Sequence, residues 1–448
     1  MLPEFEGPIE ATAASRVFHG EDTTGRALVD LDEAGYVEEE WFVAGTADAR
    51  GADGSIYAVD VPYTTRLLVR RPSDPARFSG SVHLEPFHVL GEGSPTWGVV
   101  HTQIMRRGDA WIGVTVNSGV FGQYDRLVVP GGISTLQDAD PERYARLHLY
   151  VADLDAVAEL HDVPMTDTAR IMERINLAIA QGTSILEQVA HAVKTGAAGN
   201  PLAALPVERL YASGWSQTGM FWRAFVEHGL HARCRTDDGG PVVDAFFIGV
   251  APGPAEHPAD AVLVNLLSEG EVIGAGFGSA AGVPRNTDTP RFRGYEIPGT
   301  FHSWSKQAVQ PDDGHALHND HPWYVLVHAL YDGMDRWVRD GTPMAEEPRV
   351  QRDRDTDDGV ARDGYGNALG GVRTPWTDVP AARYFPSCSC HPLTGVMEPL
   401  PDDVLRDRHG TRARYEQEFA DACDALVRRR WLLADDLPLV RPAVLAID

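Results

Sequence analysis

The sequence predicts an α/β protein with a mostly parallel central sheet and flanking helices, and two stretches carry this prediction. Residues 81–90 read as a strand, residues 98–106 suit a helix and residues 111–116 suit a short buried strand, a progression typical of parallel sheets. Residues 209–213 are another strand candidate, followed by a sharp turn and a helix over about 217–229. The 448 residues are 43% hydrophobic and 23% charged, an ordinary composition for a globular protein with a large core.

The segment before these stretches is expected to be rich in β-structure. Residues 54–71 (GSIYAVDVPYTTRLLVRR) alternate partly between apolar and polar side chains, which indicates a half-buried strand pair. Ser73-Asp74-Pro75 then indicates a turn. We expect one domain over residues 1–448, made of a β-rich segment over 1–77, a core over 78–344 with a helical insertion near 140–200, and a C-terminal segment over 345–448 that wraps around the core.

The remaining elements alternate in the way an α/β fold requires. Isoleucine and valine recur at roughly helical spacing between residues 170 and 195, and the Gly199-Asn200-Pro201 run ends that helix. Residues 243–250 and 261–267 are further strand candidates, and residues 322–339 form a strong helix candidate.

The central motif is Gly214-Trp215-Ser216-Gln217-Thr218-Gly219. It lies between a strand candidate and a helix candidate, which is the context of a nucleophile elbow, so Ser216 is predicted to be a catalytic nucleophile. Small residues are needed two places before and after the serine, because strand and helix pass closely there. Gly214 meets this need, whereas Thr218 stands where glycine is usual.

The same turn predicts how an oxyanion is stabilised. The backbone N–H of Gln217, at the start of the helix, points beside Ser216 and is one candidate donor. A second N–H is expected from the loop over residues 88–93 after an earlier strand, where His88 and Val89 are the candidates. Trp215 either lines the acyl pocket or packs beneath the turn, and the sequence favours neither role.

A serine hydroxyl needs a base, and the base needs an orienting carboxylate. In the α/β-hydrolase fold the chain order is serine, acid, histidine. His302 is the predicted base, because it follows a short strand and a Gly-containing loop in YEIPGTFHSW. For the acid, Glu271 lies just past the strand at 261–267 and has the better spacing, with Glu269 as the alternative.

Several further segments carry a resemblance to a known family. The chain resembles the bacterial alpha/beta hydrolase domain proteins sometimes grouped as the tenth abhydrolase family. The likeness runs through nearly the whole chain, in GYVEEEWFVAGTA (35–47), SGWSQTG (213–219), SEGEV (268–272), IPGTFHSW (297–304), DRWVRDGTP (335–343) and GNALGGVRTPWTDVPAARY (366–384). Residues 140–170 match it poorly.

This resemblance implies an α/β-hydrolase fold with Ser216, Glu271 and His302 at the triad positions. Members are mostly assigned as esterases, and their elbow usually has serine where Thr218 stands. The sequence therefore predicts a serine hydrolase of carboxylic esters. An acyltransferase, a lactone, thioester or amide hydrolase with the same triad, and a non-catalytic binding protein on this fold are the alternatives.

Charge and cysteine usage limit the partners. The formal net charge of −26 disfavours nucleic acid and anionic membranes, so we expect a small, neutral ester as the substrate, and homo-oligomers are left open. The first residues, MLPEFEGPIEATAAS, lack the basic and apolar regions of a secretory signal, and we expect a cytoplasmic protein. No metal or cofactor is expected, because neither Cys388-Ser389-Cys390-His391 nor the histidines at 315, 318 and 321 match known ligand spacings.

Overall fold

The chain divides into two compact units. The first contains residues 1–248 and 253–263, and the second contains residues 249–252 and 264–448. The computed structural model describes residues 2–19, 30–89, 92–117, 136–153, 168–274, 287–303, 317–388 and 393–447. Within these ranges no helix combines the length and the apolar character that crossing a membrane requires. The expectation of a single domain over the whole chain stays a prediction.

The first unit is built on a sheet whose strands run in the order β1-β2-β3-β5-β4-β6-β7. Strands β1, β2, β3 and β5 pair antiparallel, whereas β4 pairs parallel with both β5 and β6. The strands are β1 Glu4–Glu6, β2 Tyr36–Arg50, β3 Ile56–Pro72, β4 Ser81–Pro86, β5 Ala110–Val114, β6 Arg209–Trp215 and β7 Ala245–Gly249. The β-rich N-terminal segment and the strand–helix–strand progression are both present, as the sequence predicts.

The strand pair expected over residues 54–71 is wrong in detail, because β3 is one long strand. It pairs with β2 from Tyr36 opposite Pro72 to Arg50 opposite Ile56. Asp60, with φ of 51°, lies where the register between the two strands shifts. An irregularity of this kind bends a strand without ending it, and the alternation of side chains looks the same in one strand as in two.

Helices flank this sheet. They are α1 Pro95–Arg107, α2 Leu136–Ala139, α3 Pro141–Tyr144, α4 Thr168–Ala178, α5 Gly182–Lys194, α6 Gln217–Glu227 and α7 Leu230–Arg233, with a 3₁₀ turn at Pro75–Arg77. Residues 154–167, within the stretch that resembles the family least, lie outside the described residues.

The single helix expected over 170–195 is two helices, α4 and α5, and two residues explain the break. The Gln181 side-chain amide donates to the backbone oxygens of Val61 (2.9 Å) and Ala47 (3.3 Å), which fixes the chain between the helices. Gly182 packs so tightly that a Cβ atom there would lie 2.4 Å from the Phe221 ring. Helical spacing of apolar residues continues across the break, so the pattern alone does not reveal it.

Glu85, at the end of β4, fixes the start of α1. Its carboxylate accepts the backbone N–H groups of Thr96 (2.7 Å) and Trp97 (3.0 Å) and the indole N–H of Trp111 (2.9 Å). The first N–H groups of a helix have no partner within it, and a carboxylate there also suits the helix dipole. The segment between β4 and α1 is thereby held at both ends.

The second unit contains most of β8 Val262–Ser268, strand β9 Phe292–Ile297 and a small antiparallel sheet of order β10-β12-β11. The small sheet consists of β10 Leu317–His318, β11 Ala382–Phe385 and β12 Val396–Pro399. The helices are α8 Glu269–Ile273, α9 Tyr324–Asp340, α10 Pro375–Asp378, α11 Asp402–His409 and α12 Arg412–Arg428, with a 3₁₀ helix at Ala434–Leu439. Helix α9 confirms the element expected over 322–339.

The C-terminal segment is tied to α9 within this unit. His328, which the sequence places inside a helix, is buried there, and its Nδ1 lies 2.8 Å from the buried carboxylate of Asp436. Buried polar groups of this kind persist only when they are paired. Residues 350–370 add short bridges of their own, such as Val350 with Gly370. That the whole segment wraps around the core stays a prediction.

Candidate active site

Ser216 occupies the sharp turn between β6 and α6. Strand β6 ends at Trp215, α6 begins at Gln217, and Ser216 has φ of 55° and ψ of −124°. A non-glycine residue held at such a sparsely populated combination of φ and ψ costs on the order of 1–3 kcal/mol. Strain of this kind is concentrated at functional sites. The turn is therefore the strained strand-to-helix geometry that the motif predicts.

Gly214 is needed because the strand and the helix almost touch. A Cβ atom at this position would lie 2.5 Å from the backbone oxygen of Thr218 and 2.6 Å from the backbone nitrogen of Gly219. Neither backbone atom can move away without disrupting the first turn of α6. Any larger residue here would open the turn that carries Ser216.

Thr218 closes the same turn through its hydroxyl group. The hydroxyl donates to the backbone oxygen of Trp215 (2.9 Å) and accepts the backbone N–H of Trp215 (2.7 Å). The side chain is fully buried. The threonine that replaces the usual glycine thus stabilises the turn. A serine at position 218 could make the same two hydrogen bonds.

Trp215 is 2% exposed, and its ring packs 6.5 Å from the ring of Phe247. Of the two roles that the sequence leaves open, this packing favours support beneath the turn. Its role in binding substrate stays a prediction.

The two loop candidates for the oxyanion site differ in their hydrogen bonding. The backbone N–H of His88 donates to the backbone oxygen of Gly93 at 2.7 Å, closing the loop. That amide is already used, so the prediction for His88 needs correction, and Val89 is the remaining candidate with Gln217. The loop residues Leu90 and Gly91 lie outside the described residues.

Glu92, which the sequence analysis missed, anchors this loop. It is a non-glycine residue at φ of 59° and is 1% exposed. Its Oε2 accepts hydrogen bonds from the Thr115 hydroxyl (2.5 Å) and from Nη1 of the buried Arg66 (3.3 Å). Burial raises the pKa of this carboxyl to about 7, against the opposing effects of Arg66 and Thr115.

Glu271 is held at the start of α8 by a capping box. Its Oε2 accepts the backbone N–H (3.0 Å) and the hydroxyl (2.6 Å) of Ser268, the residue that precedes the helix. Its Oε1 lies 2.7 Å from Nδ1 of His302. The cap therefore fixes the carboxylate so that the other oxygen faces the imidazole.

His302 follows β9, as predicted, and its side chain is 16% exposed. Donation from Nδ1 to Glu271 selects the tautomer in which Nε2 carries the lone pair of the neutral ring. Such a histidine can accept a proton at Nε2 while the carboxylate stabilises the resulting cation. Trp304, the last residue of the predicted motif, lies outside the described residues.

Glu269, the alternative acid, is engaged elsewhere. Its Oε1 accepts a hydrogen bond from Nη2 of Arg362 (2.8 Å), and its Oε2 accepts the backbone N–H of Gly299 (2.7 Å). Burial raises the pKa of this carboxyl, with Arg362 acting against that shift. Of the two candidates, Glu271 is the one that the structure brings to His302, whereas Glu269 orders the loop before it.

A buried histidine supports that loop from the other side. The backbone oxygen of Gly299 accepts hydrogen bonds from Nδ2 of Asn319 (2.9 Å) and Nδ1 of His321 (3.4 Å), and the Thr374 hydroxyl lies 3.0 Å from His321 Nε2. Burial lowers the pKa of His321 to about 3. Among the described residues no set of three or more His, Cys, Asp or Glu side chains is arranged to hold a metal ion.

The depressed pKa of His321 makes stability depend on pH. Since the unfolded chain binds this proton below about pH 6.5 and the folded chain only near pH 3, its contribution is complete above pH 6.5 and declines on acidification. Between pH 7.5 and 5.0 we expect the free energy of unfolding to fall by about 2 kcal/mol more than in His321→Gln, which does not titrate. Urea unfolding at both pH values measures this, and equal declines in both proteins would contradict the neutral, buried imidazole.

Cys234 and Cys423 are free and buried, whereas Cys388 is disulfide-bonded. Cys390 and His391 lie outside the described residues, as does His315.

The predicted triad is thus distributed over both units. The structure joins Glu271 and His302 in the second unit. Ser216 lies in the first unit, together with Gln217, Val89 and the loop that Glu92 anchors.

Comparison with known proteins assigns the family. A protein from Klebsiella pneumoniae subsp. pneumoniae MGH 78578 described as a dienelactone hydrolase shares 15% identity, with a TM-score of 0.24 and coverage of 54% of this chain and 76% of its own. A cold-adapted esterase from an Arctic intertidal metagenomic library shares 10% identity, with a TM-score of 0.27 and coverage of 56% and 77%. A thermostable esterase from Pseudomonas putida ECU1011 shares 13% identity, with a TM-score of 0.27 and coverage of 54% and 66%.

Overlaps this low add nothing to the assignment, and no curated protein matches the chain. The family model for the alpha/beta hydrolase domain, however, matches residues 5–440. This match confirms the resemblance drawn from the sequence motifs and agrees with the sheet and its flanking helices. The chain belongs to the alpha/beta hydrolase domain family.

Proposed function

We propose that this protein is a serine hydrolase that cleaves carboxylic esters through an acyl-enzyme on Ser216. The observation that carries the proposal is the strained backbone of Ser216 (φ of 55°) between β6 and α6. Strain of this kind is retained where it presents a reacting group. The hydrogen bond between Glu271 and His302 (2.7 Å) and membership of the alpha/beta hydrolase domain family support it.

In the proposed reaction, Nε2 of His302 takes the proton from the Ser216 hydroxyl as Oγ attacks the ester carbonyl carbon. Glu271 stabilises the imidazolium that forms. The tetrahedral intermediate then expels the alcohol, which takes the proton from His302, and the acyl group remains on Oγ. Water, deprotonated by His302, attacks the acyl-enzyme and releases the carboxylic acid and the free serine.

The negative oxygen of both tetrahedral intermediates needs fixed donors. The backbone N–H of Gln217, at the first position of α6, is the first donor that we propose, and the backbone N–H of Val89 is the second. The position at a helix N-terminus adds the favourable end of the helix dipole. Donors of this kind are each typically worth about 100- to 1000-fold in rate. Glu92 would act as a positioning residue, because it anchors the loop that contains Val89.

A panel of p-nitrophenyl esters from acetate to octanoate tests this function. We expect hydrolysis with a burst of about one p-nitrophenolate per protein molecule, since acylation releases the alcohol before water attacks. The substrate should be small and uncharged, because the net charge of −26 repels anions at long range. A panel in which no ester is hydrolysed above the buffer rate would contradict the proposal.

A further inference from the structure

A cavity of about 210 Å³ lies within the second unit. Its walls come from α9, from residues 342–345 after that helix, from the end of α12 and from β9. The described residues that line it include neither Glu271 nor His302. The cavity is therefore a candidate site for a ligand other than the ester of the proposed reaction.

The buried part of the lining is apolar. Tyr295, Leu330 and Trp431 are each at most 3% exposed, and the two aromatic rings pack edge to face with 4.7 Å between their centroids. The Tyr295 hydroxyl donates to the backbone oxygen of Ala345 (2.6 Å), and the Trp431 indole N–H donates to Glu347 (2.7 Å). Because the polar groups of both rings are already paired, the rings offer a ligand apolar contact.

The charged part of the lining is basic. Among the described residues that line the cavity, the charged ones are Arg336, Arg429 and Arg430. Arg336 pairs with Asp332 (2.9 Å) and Arg429 with Glu347 (2.7 Å). The exposed side chain of Arg430 makes no hydrogen bond or ion pair within the part of the chain that the structure describes. One positive charge at the cavity is thus uncompensated, in a chain whose net charge is −26.

Arg430 also occupies a backbone position where glycine is usual. It has φ of 64° and follows the end of α12. Its backbone N–H donates to the oxygen of Val427 (3.0 Å), and that of Trp431 donates to the oxygen of Leu426 (2.9 Å). These are the two hydrogen bonds of a Schellman motif, in which glycine is favoured because a Cβ atom makes the left-handed conformation costly. An arginine retained at such a position points to a use for its side chain.

We infer that this cavity binds a small monocarboxylate whose apolar part is about the size of one aromatic ring. The guanidinium of Arg430 can hold both carboxylate oxygens at once, while the ring contacts Tyr295 and Trp431. A dry cavity of about 150 Å³ accommodates benzene, so 210 Å³ suits a ring with its carboxylate. Inorganic phosphate would leave the apolar walls uncovered, and a neutral ring would gain nothing from the charge of Arg430.

Fluorine NMR titrations with 4-fluorobenzoate and 4-fluorobenzamide test this inference, because the two probes have nearly the same shape and differ in charge. We expect 4-fluorobenzoate to bind with a Kd of about 1 mM or below. The amide should bind about tenfold more weakly, since hydrogen bonds to a charged group are roughly twice as strong as neutral ones. Equal binding of the two probes, or no binding of 4-fluorobenzoate at about 10 mM, would overturn the inference. So would displacement of 4-fluorobenzoate by an equal concentration of inorganic phosphate.

Arg430→Gln then locates the site. It should weaken the binding of 4-fluorobenzoate about tenfold and leave that of 4-fluorobenzamide unchanged. Arg428→Gln is the matched control, because it removes the same charge from an exposed residue two positions earlier that does not line the cavity. An unchanged Kd in Arg430→Gln, or equal weakening in both variants, would contradict a carboxylate site at Arg430.

Arg430→Gly separates loss of the ligand from loss of the fold. Glycine suits the left-handed backbone at this position, so the Tm should hold or rise while 4-fluorobenzoate binds more weakly. A folded Arg430→Gly that binds the probe as tightly as the unaltered protein would overturn the inference. Ser216→Ala should bind 4-fluorobenzoate with the original Kd, since the cavity is separate from the proposed reaction. Binding lost in Ser216→Ala would instead place the probe at the triad, and the cavity would not be its site.

Discussion

Replacing Ser216 with alanine is expected to lower kcat for p-nitrophenyl butyrate by about 10⁴- to 10⁶-fold, because the variant has no atom that can form the acyl-enzyme. The fold should survive, since alanine adopts the same backbone conformation at no greater cost than serine. Initial rates at saturating ester measure the first effect, and a thermal melt monitored by circular dichroism measures the second.

Ser213→Ala is the matched control for this experiment. Ser213 lies in the same strand, three residues earlier, and is fully buried, and its Oγ has no hydrogen-bond partner in the described part of the chain. It takes no part in the proposed reaction, so its variant should retain kcat. Equal activity in the two variants would show that hydrolysis does not pass through Ser216.

The second large effect is a difference between the variants of Glu271 and Glu269, the two glutamates on either side of Gly270. Glu271→Gln should lower kcat by about 10³- to 10⁴-fold, because an amide in place of the carboxylate no longer stabilises the His302 imidazolium. Glu269→Gln should lose less than about tenfold in kcat and instead destabilise the protein by about 3 kcal/mol, because Arg362 is left with one fewer buried anion.

Steady-state kinetics and urea unfolding of both variants give the comparison. We expect the larger loss of kcat in Glu271→Gln and the larger loss of stability in Glu269→Gln. The reverse pattern would make Glu269 the triad acid, despite the 2.7 Å hydrogen bond between Glu271 and His302.

Local signals in the sequence were sufficient for the centre of the candidate site. The turn at Ser216 could be predicted because a strand pattern, a small residue and a helix pattern follow one another within a few residues. The choice of Glu271 over Glu269 as the triad acid could also be predicted from the sequence. Ser268 and Glu271 have the spacing of a capping box, in which the glutamate side chain turns back to the residue before the helix. The segment SEGEV therefore contains a local signal that distinguishes Glu271 from Glu269.

Contacts between distant parts of the chain could not be predicted in this way. Glu92 depends on Arg66, which is 26 residues away, and Glu269 depends on Arg362, which is 93 residues away. A single sequence contains no information on which charged residues meet after folding. The sequence also could not show that the backbone N–H of His88 is already bonded and therefore a poor oxyanion donor. A backbone hydrogen bond depends on the conformation of the loop and not on residue type.

The role of Thr218 is a third feature that could not be predicted from the sequence. Threonine replaces the glycine that is usual at this position, and the residue type alone suggests a strained turn. The structure shows that its hydroxyl pairs with both backbone polar groups of Trp215. The cost of a branched side chain at this position is therefore offset by two buried hydrogen bonds, an outcome that depends on geometry.

Labelling with a fluorophosphonate probe, followed by peptide mass spectrometry, tests the central claim about Ser216 most directly. Such a probe reacts only with a serine that a base has activated, and it requires no knowledge of the natural substrate. We expect one label per protein molecule, on the peptide that contains Ser216, and loss of that label in His302→Ala. A folded protein in which Ser216 stays unlabelled, or in which the label lies on another residue, would contradict the account.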